Sequence, residues 1–182
     1  SNVRLKLIYD LEHNNLLPQG SYDSALATVQ GGIANAEIPL YAYAYTVTDG
    51  SVSYIYTSEE DAAISVSESV ATMRNLAEMG QLDEASYNSL RNLVLNTGII
   101  DTYYYITTGN YSGTEAVEAY PDAMMVAFYM GDKDLYNALC RCVGSRVASK
   151  SSSPALYMIY REENGRYVFY AGENLSVRLS VG

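Results

Sequence analysis

The residue types able to do acid–base chemistry gather near the start of the chain, in Asp10-Leu11-Glu12-His13. His13 is the only histidine. Placed in a loop after a strand, it would serve as a general base oriented by Asp10 or Glu12, the arrangement of a small hydrolase. A nucleophile would then have to be supplied, and the chain carries neither a G-x-S-x-G elbow nor a reactive-cysteine signature. The competing reading is a solvated loop in which loss of His13 is silent. Paired carboxylates cleave glycosides without any histidine. Here the acids at Glu59 to Asp61, Asp83-Glu84, Asp132 and Asp134 stand where helix starts require them, Glu162-Glu163 flanks a turn, and no pair is singled out.

Cys140 and Cys142 form a C-x-C pair with Met124, Met125 and Met130 upstream. On a helix they would project about 200° apart, a poor geometry for a disulfide. A structural zinc site needs four ligands, more than one histidine and two cysteines provide. The simpler role for both is as small, partly buried apolar residues. Gly31-Gly32 lacks the glycine spacing of a phosphate-binding loop. No metal and no cofactor are therefore expected. The triplets Asn110-Tyr-Ser and Asn174-Leu-Ser match glycosylation acceptors, which matter only in a eukaryotic secretory setting.

Tyrosine is the strongest signal: nineteen Tyr against two Phe and no Trp. The run Leu40 to Val47 alternates strictly, turns at Asp49-Gly50 and returns through Val52 to Thr57. Asp-Gly between alternating runs specifies a two-residue type I′ hairpin, because both residues accept a positive φ. That turn pairs Thr48 with Ser51, Val47 with Val52, Tyr45 with Tyr54 and Tyr43 with Tyr56. One face then carries Tyr41, Tyr43, Tyr45, Val47, Val52, Tyr54 and Tyr56; the other carries Ala42, Ala44, Thr46, Ser53, Ile55 and Thr57. If the tyrosines are core, the small-residue face meets solvent. If the small residues lie against helices, Tyr41, Tyr43, Tyr45, Tyr54 and Tyr56 make a platform for a protein or glycan partner.

A net charge of −10, with eleven dispersed cations, disfavours nucleic acid and anionic membrane surfaces as partners. No apolar run reaches the length of a membrane span, so membrane insertion is not expected. At 182 residues the chain fits one α+β domain, 1–182, with 48% hydrophobic and 18% charged residues. Scarce lysine with abundant Tyr, Ser, Thr and Gly is the composition of secreted bacterial domains and virion proteins.

The elements that would position these groups read as follows. Residues 3–9 alternate and suggest a strand with Val3, Leu5, Leu7 and Tyr9 inward. Ser21 caps a short helix that Gly31-Gly32 ends. Ser58, before Glu59-Glu60-Asp61, caps a helix through Ile64, Val66, Val70, Met73 and Leu76 to Gly80. Asp83 caps a second, running to Gly98, and the two form a helical hairpin. Residues 101–107 read as β-rich, 115–119 as helical, and Pro121 opens a helix to Gly131, with a buried strand at Met124 to Tyr129 as the alternative. Asp132 caps a helix bearing Leu135, Leu139, Cys142, Val143 and Val147. Asn164-Gly165 marks a second type I′ hairpin, pairing Glu163 with Arg166 and Tyr160 with Phe169. Residues 175–181 read as a closing half-buried strand. The fold class is α+β: a largely antiparallel sheet, two type I′ hairpins plus edge strands, packed against a helical hairpin and a helix of the C-terminal half.

Three functions compete on these grounds. The leading one is a non-catalytic binding or assembly module acting through the tyrosine face, outside the cytoplasm or on a virion. The others are a small hydrolase using Asp10, Glu12 and His13, and a homo-oligomeric subunit whose tyrosine face is covered by its own copy.

Overall fold

The computed structural model describes residues 3–56, 62–146 and 161–168. The chain opens with helix α1, Leu5–His13, where alternation suggested a strand. A short apolar run fits both periods, and the helical one wins because it sends Leu5 into the core while Leu7 and Tyr9 turn outward. Leu5 is fully buried, whereas Leu7 and Tyr9 are 51% and 42% exposed. An ion pair between Lys6 and Asp10, one turn apart, runs along the outer face.

Helix α2, Ser21–Gln30, ends at Gly31-Gly32 as expected. Ser21 does not cap it. Gly20 takes the N-cap position in a left-handed conformation, and the Ser21 hydroxyl donates to the Pro18 carbonyl at 2.6 Å. The tyrosine hairpin follows as β1, Ala44–Thr48, and β2, Ser51–Ile55, in the register that the Asp49-Gly50 turn dictates, from Thr48 opposite Ser51 to Tyr45 opposite Tyr54. Asp49 and Gly50 both have positive φ, 50° and 79°.

Strand β3, Ala63–Ser65, leads directly into α3, Val66–Glu78. The helix thus starts seven residues later than Ser58-Glu59 suggested; residues 57–61 lie outside those described. Ser65 is the cap, its hydroxyl accepting the Glu68 amide at 3.4 Å. The S-x-x-E spacing of a capping box was present at Ser65 to Glu68 all along. Asp83 caps α4, Glu84–Thr97, which Gly98 closes in a left-handed conformation.

Strands β4, Tyr103–Tyr105, and β5, Asn110–Tyr111, join β3 in a three-stranded antiparallel sheet of order β3-β4-β5. A single 3-10 turn, Val117–Ala119, replaces the helix expected over 115–119 and runs into α5, Tyr120–Met130, with Pro121 in its first turn. The stretch Met124 to Tyr129 is helical. Asp132 caps α6, Lys133–Gly144, by accepting the Leu135 amide at 2.9 Å. The second hairpin, β6, Arg161–Glu163, and β7, Arg166–Val168, pairs Glu163 with Arg166 around Asn164-Gly165. Val147, the pair Tyr160 with Phe169, and the strand expected at 175–181 lie outside the described residues.

The fold is α+β, with six helices and antiparallel strand pairs among the described residues. Pairing is divided among three short sheets, and the helices carry most of the packing. Helix α3 is central, meeting α1, α4, α5 and the 3-10 turn, while α6 packs on α4 and α5. Leu5, Val70, Met73, Leu76, Met124, Leu135 and Leu139 are all at most 1% exposed. Burial of side chains of this size stabilises by about 1.5–3 kcal/mol each.

Candidate functional site

The tyrosine ladder divides along its length. Its base belongs to the core: Tyr41 is 2% exposed and its amide donates to the hydroxyl of buried Ser69 on α3 at 2.9 Å. Burial pushes the Tyr41 phenol up, with Ser86 at the start of α4 as its hydrogen-bonding neighbour. One residue therefore ties the hairpin to both helices of the α3/α4 pair. Tyr41 is thereby removed from any contact surface.

The middle of the ladder closes over the end of α2. Tyr54 donates its hydroxyl to the Thr28 carbonyl at 2.7 Å, and Tyr56 donates to the Ile33 carbonyl at 3.3 Å. The Tyr54 ring lies on Gly31-Gly32; a Cβ on Gly31 would collide with its hydroxyl, and one on Gly32 would sit 3.3 Å from the ring edge. Gly31 leaves room for the Tyr54 hydroxyl, and Gly32 lets the ring approach closely. Burial pushes the phenols of Tyr54 and Tyr56 up, so both remain neutral donors at physiological pH.

The outer part faces solvent. Tyr43 is 37% exposed, Tyr45 is half-buried, and their phenols have no hydrogen-bond partner among the described residues. The Tyr45 and Tyr54 ring centres stand 6.5 Å apart, and those of Tyr54 and Tyr56 6.4 Å, so three rings form a continuous tilted row. At the tip Val47 and Val52 are exposed. On the opposite face Thr46 and Ser53 are exposed too. The hairpin is thus anchored at its base, propped in the middle and wet at its end. Sequence reasoning missed Ser69 and the seat at Gly31-Gly32. A Gly-Gly pair was visible, but which ring would land on it was not.

Asp10, Glu12 and His13 serve three separate contacts. Asp10 is paired with Lys6. Glu12 turns to α2 and accepts the amides of Tyr22 at 2.6 Å and Gly20 at 3.0 Å, two hydrogen bonds that hold its carboxyl below the usual range. It caps the next helix from the previous one. The exposed His13 ring lies parallel to Tyr9, with centres 6.0 Å apart. Cys142 donates to the Gly98 carbonyl at 3.0 Å, and burial pushes its thiol up. Among the described residues no cluster of three or more His, Cys, Asp or Glu could hold a metal ion, and no helix is long and apolar enough to cross a membrane.

No family model matches the chain, and no curated protein matches it. Its fold resembles that of a solved structure of a novel alpha-amylase from Clostridium perfringens, with a TM-score of 0.74 and 20% sequence identity. The likeness covers 97% of this chain and 49% of that one, so the chain spans about half the length of its structural neighbour. At this identity the likeness concerns the fold alone.

Proposed function

We propose that this chain is a non-catalytic binding module that takes a carbohydrate on the outer part of the tyrosine hairpin, working outside the cytoplasm. The observation that carries the reading is the row Tyr45, Tyr54 and Tyr56, with Tyr43 exposed just before β1, on a hairpin already held by Ser69 and the end of α2. Flat rings fixed before binding lose little entropy when a sugar stacks on them. Tyr43 and Tyr45 are the contact residues, and Tyr54 and Tyr56 support them. Since a protein of the same fold is named an alpha-amylase, an α-glucan is the first ligand class to test.

Calorimetric titration with maltohexaose checks this. Tyr43→Ser should weaken binding about ten-fold or more without lowering the melting temperature, and Tyr45→Ser should weaken it as much while lowering the melting temperature by a few degrees, since its half-buried ring packs on Tyr54. Absence of binding by the unmutated chain to any α-glucan sinks the proposal. The alternative reading is a small hydrolase using Asp10, Glu12 and His13. Release of reducing sugar from starch by this chain, lost on substitution of a carboxylate or His13, would replace the binding module with an enzyme.

A further inference from the structure

We propose a second ligand site in the cleft between α1, α3 and α5, fitted to a neutral polyhydroxylated molecule; the choice of an oligosaccharide rests on the carbohydrate reading of the hairpin. The cleft has a volume of about 450 Å³, within the range of small-molecule sites. Arg4, Lys6 and Asp10 line one side, and Arg74, Glu78 and Asp122 the other, so the lining carries three cations, three carboxylates and no net charge. Four of the six groups are matched in ion pairs. Lys6 pairs with Asp10, Arg74 donates Nη1 to Asp122 Oδ1 at 2.8 Å, and Tyr129 donates to Glu78 at 3.3 Å.

That balance selects the ligand. With no net charge in the lining, an anion drawn by the three cations is repelled by as many carboxylates, and a cation fares no better. A vicinal diol meets no such conflict, since each hydroxyl both donates and accepts. A guanidinium carries five donors and a carboxylate about four acceptor positions, so one ion pair leaves most of them open to a ligand. Between the charged groups, Leu7 is half-exposed and Ala71 adds a small apolar surface on α3, a floor for the C–H face of a sugar ring. The residues come from three helices that the core holds together, with Leu5 one residue from Lys6 and Met73 one from Arg74, both buried.

The test is a nuclear magnetic resonance titration of the isotope-labelled full chain with maltohexaose, read at each amide, with inorganic phosphate as the charged control. Shifts at Arg74, Asn75 and Asp122, insensitive to salt and weakened about ten-fold in both Arg74→Met and Asp122→Asn, are the expected result. Melting temperatures of the two variants establish that they fold. Shifts confined to Tyr43 and Tyr45 overturn the cleft and leave the hairpin reading standing. Shifts confined to the cleft overturn the hairpin and keep the second site. No shift with maltohexaose overturns both, and a cleft that answers to phosphate alone overturns the neutral ligand.

Discussion

Tyr87 on α4 donates its phenol to Asp132, the residue that caps α6, and Arg91 one turn further donates Nε to the same carboxylate oxygen at 2.8 Å. The other oxygen holds the Leu135 amide. One carboxylate thus starts a helix and fastens it to its neighbour. Asp132→Ala strands all these donors and should cost about 2–4 kcal/mol, measured as a lower urea midpoint. Tyr87→Phe removes one donor and should cost about 1 kcal/mol. Equal midpoints for Asp132→Ala and the unmutated chain would overturn this account.

The same cluster sets a pH dependence with a definite sign. Burial acts to raise Asp132, but the Leu135 amide, Tyr87 and Arg91 together outweigh it and bring the carboxyl down to about 2, from an ordinary 3.8. A lowered folded value means stability present above the ordinary value and lost as pH falls from about 4 to about 2. At about 1.4 kcal/mol per unit, the loss is about 2–3 kcal/mol. Tyr87, pushed up to about 12 first by burial and then by Asp132, contributes stability below pH 10 that is lost between about 10 and 12. Unfolding titrations at both ends measure this, and Asp132→Asn should flatten the acid limb.

Gly31→Ala places a methyl group on the Tyr54 hydroxyl and should destabilise by about 1–3 kcal/mol. Tyr54→Phe removes that hydroxyl and its bond to Thr28, at about 1 kcal/mol. The double variant should be more stable than the sum of the two losses implies. Additive losses would mean that the ring does not rest on this glycine.

Helix and strand assignments for residues 5–9 predict opposite outcomes at neighbouring leucines. Leu5→Ala should cost about 2–5 kcal/mol, because the side chain is fully buried, while Leu7→Ala, half-exposed, should fall within about 0.5 kcal/mol of zero. Comparable losses at both positions would restore the strand.

Glu12→Gln should lower the melting temperature and Glu12→Ala should lower it further, since only the carboxylate accepts both amides at the start of α2. Its depressed folded value places the loss on the acid side, as pH falls below the ordinary glutamate range. Silence of both variants would show that Gly20 alone starts the helix.

Local chemistry in the sequence determined what depends on local contacts. Asp49-Gly50 and Asn164-Gly165 impose positive φ on two successive residues, and the hairpin register follows from that alone. Asp83 and Asp132 carry acceptors that reach amides three residues on, so the helices they start were legible as well. Tertiary structure decided the rest. Val3 to Tyr9 satisfies both periods, and only the partner at Leu5 selects the helix. Five tyrosines at identical spacing meet different fates because Ser69 draws in the base of the ladder, Gly31-Gly32 receives the middle, Tyr45 is half-covered beside Tyr54 and Tyr43 is left exposed. Asp10 was legible only as a partner for His13, and Lys6, Arg74 and Asp122 carried no site signal; that these four border one cleft is a property of how α1, α3 and α5 pack. Alternation places side chains on a common face, but burial is set by what arrives from elsewhere in the chain.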